Sequence, residues 1–122
     1  MFKDALNQII ERTEGSVAAL IMGTDGIEVE RVMRAEARDA NLDVAAAEFA
    51  SLVRSAQRTG GDTGLGNLRE LVVTYDDVTF VVRMFTAEYF IALALAGSEA
   101  NIGRGRFELR KADLMLASEF AV

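Results

Sequence analysis

Phe2, Ala5, Leu6, Ile9 and Ile10 follow the i, i+3, i+4, i+7, i+8 spacing of one helical face, and Gly15 suits the end of that helix. "SVAALIM" (16–22) is a short apolar run rich in strand formers, closed by "GTDG" (23–26), where Asp25-Gly26 is a strong hairpin signal. "IEVERVM" (27–33) alternates: Ile27, Val29 and Arg31 point one way and Glu28, Glu30 and Val32 the other, as in a strand with one wet face near a sheet edge. "RAEARDANL" (34–42) is polar and connects onward. From Asp43 to about Thr59 the 3.6-residue period returns, with Leu42, Ala45, Phe49, Leu52, Val53 and Ala56 as the core stripe of a second helix.

Two strands follow a glycine-rich stretch, "LRELVVTY" (68–75) and "VTFVVRMF" (78–85), joined by Asp76-Asp77. A two-residue loop implies a tight antiparallel hairpin, and Asp tolerates the positive φ that such turns require. "EYFIALALA" (88–96) is almost wholly apolar, so both its faces should be covered. Asn101 is placed to cap a last helix whose buried stripe reads Ile102, Gly105, Leu109, Ala112 and Leu116. The order is α-β-β-α-β-β-β-α, an α+β arrangement in one domain over 1–122. The strands at 16–22 and 89–96 are the most apolar and belong at the sheet centre, with helices on both faces.

Composition narrows the chemistry. At 122 residues and 51% hydrophobic, the chain is long enough to bury one core. It has no cysteine, which excludes disulfides, thiolate catalysis and Cys-based zinc sites and fits a cytoplasmic location. It has no histidine, so the commonest general base and transition-metal ligand are both missing. A net charge of −6 disfavours nucleic acid as a partner. The dense basic cluster of Arg104, Arg106, Arg110 and Lys111 has Glu99, Glu108 and Asp113 around it and reads as a solvated helix face. No signal peptide is recognisable, and no apolar run reaches the ~18 residues of a membrane span.

Neither glycine-rich segment holds a nucleotide motif. "GGDTGLGNLRE" (60–70) has the glycine spacing of a phosphate loop, but Asn67 and Leu68 stand where Lys and Ser/Thr are needed, and helix precedes strand. It reads as a helix-to-strand loop in which Gly60 or Gly61 stops the helix. Gly103 and Gly105 give half a dinucleotide fingerprint whose third glycine would fall at Glu108; lack of bulk there lets a helix lie close to the sheet. The paired acids Asp76-Asp77 and Glu28/Glu30 sit in a turn and on a wet strand face. Neither position offers the burial that carboxylate acid–base work requires. Eleven of the thirteen basic residues are arginine, so an arginine finger for a partner is conceivable at the level of composition. With these residue types so sparse, the sequence points to a binding module with no cofactor.

Three stretches together, "GTDGIEVE", "LRELVVTYDDVTFVVRMFTAEYFIALAL" and "NIGRGRFELRKA", resemble the Roadblock family, named for the dynein light chain, and within it the bacterial MglB-like regulators. The resemblance runs along nearly the whole chain. It implies a five-stranded antiparallel sheet in the order 2-1-5-4-3, with helices one and three on one face and helix two on the other. It also implies a homodimer that acts as a non-enzymatic partner of a small Ras-like GTPase, stimulating hydrolysis without inserting an arginine finger. Some such regulators carry a C-terminal tail; the sequence here ends at Val122, directly after the last helix, so no tail function is carried over. A light-chain-like structural adaptor is the alternative, and a small-molecule sensor a second one, disfavoured by central strands built of Val, Ala, Leu, Ile, Met and Phe.

The residues themselves place the expected dimer contact on strand three and helix two. Ala46, Ala50, Val53 and Gln57 form a stripe of mostly small residues beside the helix core stripe, and Arg69, Leu71, Val73 and Tyr75 run along a strand with no proline to block edge pairing. The polar side of helix two, with Glu48, Ser51, Arg54, Ser55 and Arg58, is the expected docking surface for the GTPase.

Overall fold

The computed structural model describes residues 2–34 and 39–120. Eight elements follow in order: α1 (Phe2–Arg12), β1 (Ser16–Gly23), β2 (Glu28–Met33), α2 (Asp39–Thr63), β3 (Glu70–Thr74), β4 (Val78–Met84), β5 (Tyr89–Ala96) and α3 (Ile102–Phe120). The strands form one antiparallel sheet in the order β2-β1-β5-β4-β3. The element order and the central place of β1 and β5 are those expected from the sequence, and the strand order is the one the resemblance implied. Most of the connector expected over 34–42 lies outside the described residues or inside α2.

Strand alternation sends β1 and β5 side chains to two different layers. Ala19, Ile21, Ile91, Leu93 and Leu95, joined by Val81 of β4, meet Leu6, Ile9 and Ile10 of α1 and Leu109, Ala112 and Leu116 of α3. Leu20, Met22, Phe90 and Ala92, joined by Val82 and Met84 of β4, meet Ala46, Phe49, Ala50 and Val53 of α2. Both central strands are therefore covered on both faces, which is why they read as continuous apolar runs.

Local chemistry fixes the ends. At the first hairpin Gly26 takes φ +88°, and the Ile27 amide donates to Asp25 Oδ1 at 2.9 Å. Asn101 caps α3 as expected, accepting from the Arg104 amide at 2.9 Å. Gly105 lies close against the sheet as expected: a Cβ there would sit 3.0 Å from Leu93 Cδ2, whereas a Cβ on Gly103 would meet only Asn101 Oδ1 at an ordinary 3.7 Å.

Several expectations are corrected. α2 does not stop at Gly60 or Gly61. Both are helical, and the helix ends at Gly64, whose φ of +72° belongs to a left-handed terminating residue. Gly60 is needed because the loop folds back onto it: the Gly66 amide donates to Gly60 O at 3.2 Å, and a Cβ on Gly60 would lie 2.2 Å from Gly66 O. The Asp76-Asp77 turn contains no positive φ, and the Tyr75 amide closes it on Val78 O at 2.8 Å. β2 does not alternate strictly. Ile21 faces Glu30 but Met22 faces Glu28, so Val29 is the extra residue of a β-bulge. The bulge puts Glu28 on the same face as Arg31, and the two form an ion pair at 2.5 Å. In α3, Ile102 is partly exposed and Glu108 takes a buried place in the stripe instead.

Candidate functional site

The sheet has two outer strands, and they differ. β2 carries the bulge and the Glu28–Arg31 pair. β3 is a regular five-residue ladder on β4, with Leu71 opposite Val82, Val72 opposite Val81 and Val73 opposite Phe80. The Tyr75 amide donates to Val78 O, and the Met84 amide donates to Arg69 O at 3.0 Å. These bonds set the parity of the strand. Antiparallel ladders alternate, so Arg69, Leu71, Val73 and Tyr75 turn their backbone groups inward to β4, while Glu70, Val72 and Thr74 turn theirs to the outside. No strand pairs with that outer side among the described residues.

Side chains on β3 divide in the same way. Leu71 and Val73 pack beneath α2 with Phe80. Glu70 reaches the opposite layer, where Arg106 of α3 donates to it from Nε at 2.6 Å and from Nη2 at 2.9 Å. That bond, more than the opposing effect of burial, holds the Glu70 carboxyl below its ordinary range. Val72 is 44% exposed, and Tyr75 projects into solvent while its ring meets Phe80 edge-on at 6.2 Å. Of the strand residues expected at a dimer contact, Arg69 and Tyr75 are exposed and Leu71 and Val73 half-buried.

α2 is rotated about its axis relative to expectation. Ala46, Ala50 and Val53 are buried against the protomer's own sheet, so these three cannot meet a second helix. The physical reason is helical spacing: Phe49 and Val53 pack with Leu20, Met22, Val82, Met84 and Phe90 of the sheet, Phe49 tilted against Phe80 at 4.6 Å, and Ala46 and Ala50 share their face at i, i+3, i+4 and i+7. Leu52, expected in the core, faces outward and is 44% exposed, and Val44, more than two turns earlier, is 68% exposed. Gln57 is half-buried and donates to Ala87 O at 2.8 Å. Glu48, Ser51, Arg54, Ser55 and Arg58 are all exposed. Arg54 is also tied to the β1–β2 turn by a hydrogen bond to Thr24 O.

Solved structures share this arrangement. MglC from Myxococcus xanthus is 30% identical over 98% of this chain and 98% of its own, with a TM-score of 0.69. A Roadblock/LC7 domain from Streptomyces avermitilis is 19% identical, with 97% and 96% covered and a TM-score of 0.82. The chain belongs to the Roadblock family. The gliding protein MglB from Thermus thermophilus superposes with a TM-score of 0.83 at 19% identity over 95% of this chain and 85% of that one. No family model matches the sequence, and no curated protein is significantly similar to it.

Two further features of this Roadblock domain were not legible beforehand. The basic cluster on α3 is largely paired. Glu108, 2% exposed, draws Arg104 to 2.7 Å, Lys111 to 3.6 Å and Arg12 of α1 to 4.0 Å. The signal was present as Arg104, Glu108 and Lys111 at i, i+4 and i+7, but a carboxylate inside an apolar stripe was not anticipated. The glycine stretch borders an open cleft of about 720 Å³, which also meets Arg69, Thr86 and the Arg83–Asp113 pair at 3.2 Å. Between the front half of α2 and the sheet lies a half-open cavity of only about 20 Å³, far below the several hundred Å³ of a ligand pocket. No helix among the described residues is long and apolar enough to cross a membrane.

Proposed function

We propose that this chain is a non-enzymatic Roadblock homodimer that docks on a small Ras-like GTPase in the cytoplasm and stimulates its hydrolysis of GTP. The open outer side of β3 carries the reading. Three residues, Glu70, Val72 and Thr74, present unpaired backbone donors and acceptors on a regular strand without proline. Such an edge is a template for another strand, and the two-fold mate of β3 is β3 itself. Exposed Val72, Tyr75 and Leu52 supply apolar surface beside it.

Pairing two β3 strands makes one continuous sheet and brings two α2 helices onto the same face. Their outer sides, with Glu48, Ser51, Ser55 and Arg58, form a rigid platform that needs little ordering to bind a partner. Arg58 supplies a docking charge, as does Arg54 where it reaches beyond the β1–β2 turn. Neither acts as an arginine finger, so alanine at Arg58 weakens affinity more than it lowers the rate at saturation.

Light scattering and single-turnover GTP hydrolysis with a Ras-like GTPase from the same genome test the reading. The expected result is a dimer at micromolar concentration and faster hydrolysis that Arg58→Glu removes while the dimer persists. A monomer, or hydrolysis unchanged at saturating protein, overturns it; a stable complex with unchanged hydrolysis identifies a structural adaptor.

A further inference from the structure

The outer face of α3 points away from the sheet, on the side opposite α2. Phe107 is 47% exposed, Leu114 80% and Met115 50%. Phe107 and Leu114 are seven residues apart, two turns and about 10 Å along the axis, so they lie on one stripe. Scattered single apolar residues need no explanation, but a two-turn stripe on one helix does.

Its borders are cationic. Arg104 and Lys111 stand over the Phe107 ring at 5.4 and 5.8 Å from its centroid. Both also pair with Glu108, yet their side chains remain 44% and 41% exposed because that carboxylate is buried beneath them. Exposed Arg110 lies between Phe107 and Leu114. The protein as a whole carries −6, so this strip has the opposite sign to the molecule around it.

We propose that the outer face of α3 is a second docking surface, and that its partner is a protein segment with an apolar stripe flanked by acidic residues, an amphipathic acidic helix. Charge selects this occupant. At physiological salt the field of a charge fades over about 8 Å, so a single helix laid on α3 meets the local cations and little of the distant acidic surface. An anionic membrane is broad and would face the whole negative molecule. The proposal is independent of the α2 platform, which lies on the other layer of the fold.

Two synthetic helical peptides of roughly 18 residues, long enough to span five turns, test it by fluorescence anisotropy against the full chain. They share one leucine stripe; one has glutamate flanks and the other lysine flanks. Binding of the acidic peptide only is expected, weakened roughly tenfold by Leu114→Glu and by Arg110→Glu, and reduced by added salt. Circular dichroism verifies that each variant is folded, and both positions are exposed. Failure of the acidic peptide to bind, equal binding of both peptides, or binding that Leu114→Glu leaves unchanged overturns the proposal. So does flotation of the protein with phosphatidylserine–phosphatidylcholine vesicles in place of peptide binding, or self-association that Leu114→Glu abolishes.

Discussion

Arg106 on α3 grips Glu70 on β3 through two parallel hydrogen bonds, 2.6 Å from Nε and 2.9 Å from Nη2. The contact clamps the outermost strand to a helix of the opposite layer. It favours the ionised form of Glu70 and holds its pKa below the ordinary value of about 4.5. A group with a depressed folded pKa contributes stability above its unfolded pKa and loses it as pH falls through the folded one. Arg106→Gln should therefore be less stable than the parent at neutral pH. The gap should close as pH drops from about 4.5, where the unfolded carboxyl protonates, through the lower folded value. Urea unfolding at a series of pH values measures this, and a gap that does not change with pH would refute it.

The parity of β3 separates two proline substitutions one residue apart. Val72 turns its amide outward, where proline is tolerated on an edge strand, so Val72→Pro should fold but run as a monomer in light scattering, where the parent is expected as a dimer. Val73 bonds inward to β4, so Val73→Pro strands a ladder carbonyl and should cost about 1–3 kcal/mol of stability in denaturant. Equal loss of stability in the two variants would mean that the strand does not have this parity.

How much of this was legible beforehand differs between layers. The α1 and α3 stripes were read almost residue by residue, because large aliphatics at helical spacing have one sensible side to bury. α2 was read about one residue out of phase. Leu52 outweighs Ala46 and Ala50 in any reading by size, but Phe49 and Val53 set the buried side, and Ala46 and Ala50 share it while Leu52 falls outside. Which side of α2 meets the sheet is decided by strands far apart from it in the chain, so no local window holds it. The bulge at Val29 and the outward parity of Val72 are likewise properties of pairing, invisible in either strand alone.

The glycine run gives another pair of opposite outcomes. Gly60→Ala would place its Cβ 2.2 Å from Gly66 O, a backbone atom that cannot move aside cheaply, and should destabilise by about 1–3 kcal/mol. Gly61 is helical with nothing within 4 Å of a new Cβ, and Gly61→Ala should stabilise by about 0.4–1 kcal/mol by restricting the unfolded chain. Thermal melts of both variants report the signs directly. A Gly60→Ala protein as stable as its parent would show that the loop does not fold back as described.

Glu108 is a buried carboxylate served by cations that solvent reaches. Removing Arg104 and Lys111 together leaves it with Arg12 at 4.0 Å and should cost on the order of 2 kcal/mol, less than a fully buried pair because both cations are partly hydrated. Adding Glu108→Gln to that double variant removes the charge that needed them and should restore part of the loss. A double-mutant cycle with no coupling between the cations and Glu108 would contradict the ion cluster.

The unequal ends of the sheet decide where growth stops. Strand addition at both ends would let copies join head to tail without limit, the geometry of a fibre. Here the Val29 bulge and the charged Glu28–Arg31 pair blunt one end, and among the described residues the outer side of β3 is left open. A molecule with a single open end can add one copy of itself through that end, and the addition consumes the end on both. Assembly by the proposed pairing would terminate at two and need no separate cap, even in a chain with no proline to interrupt a strand.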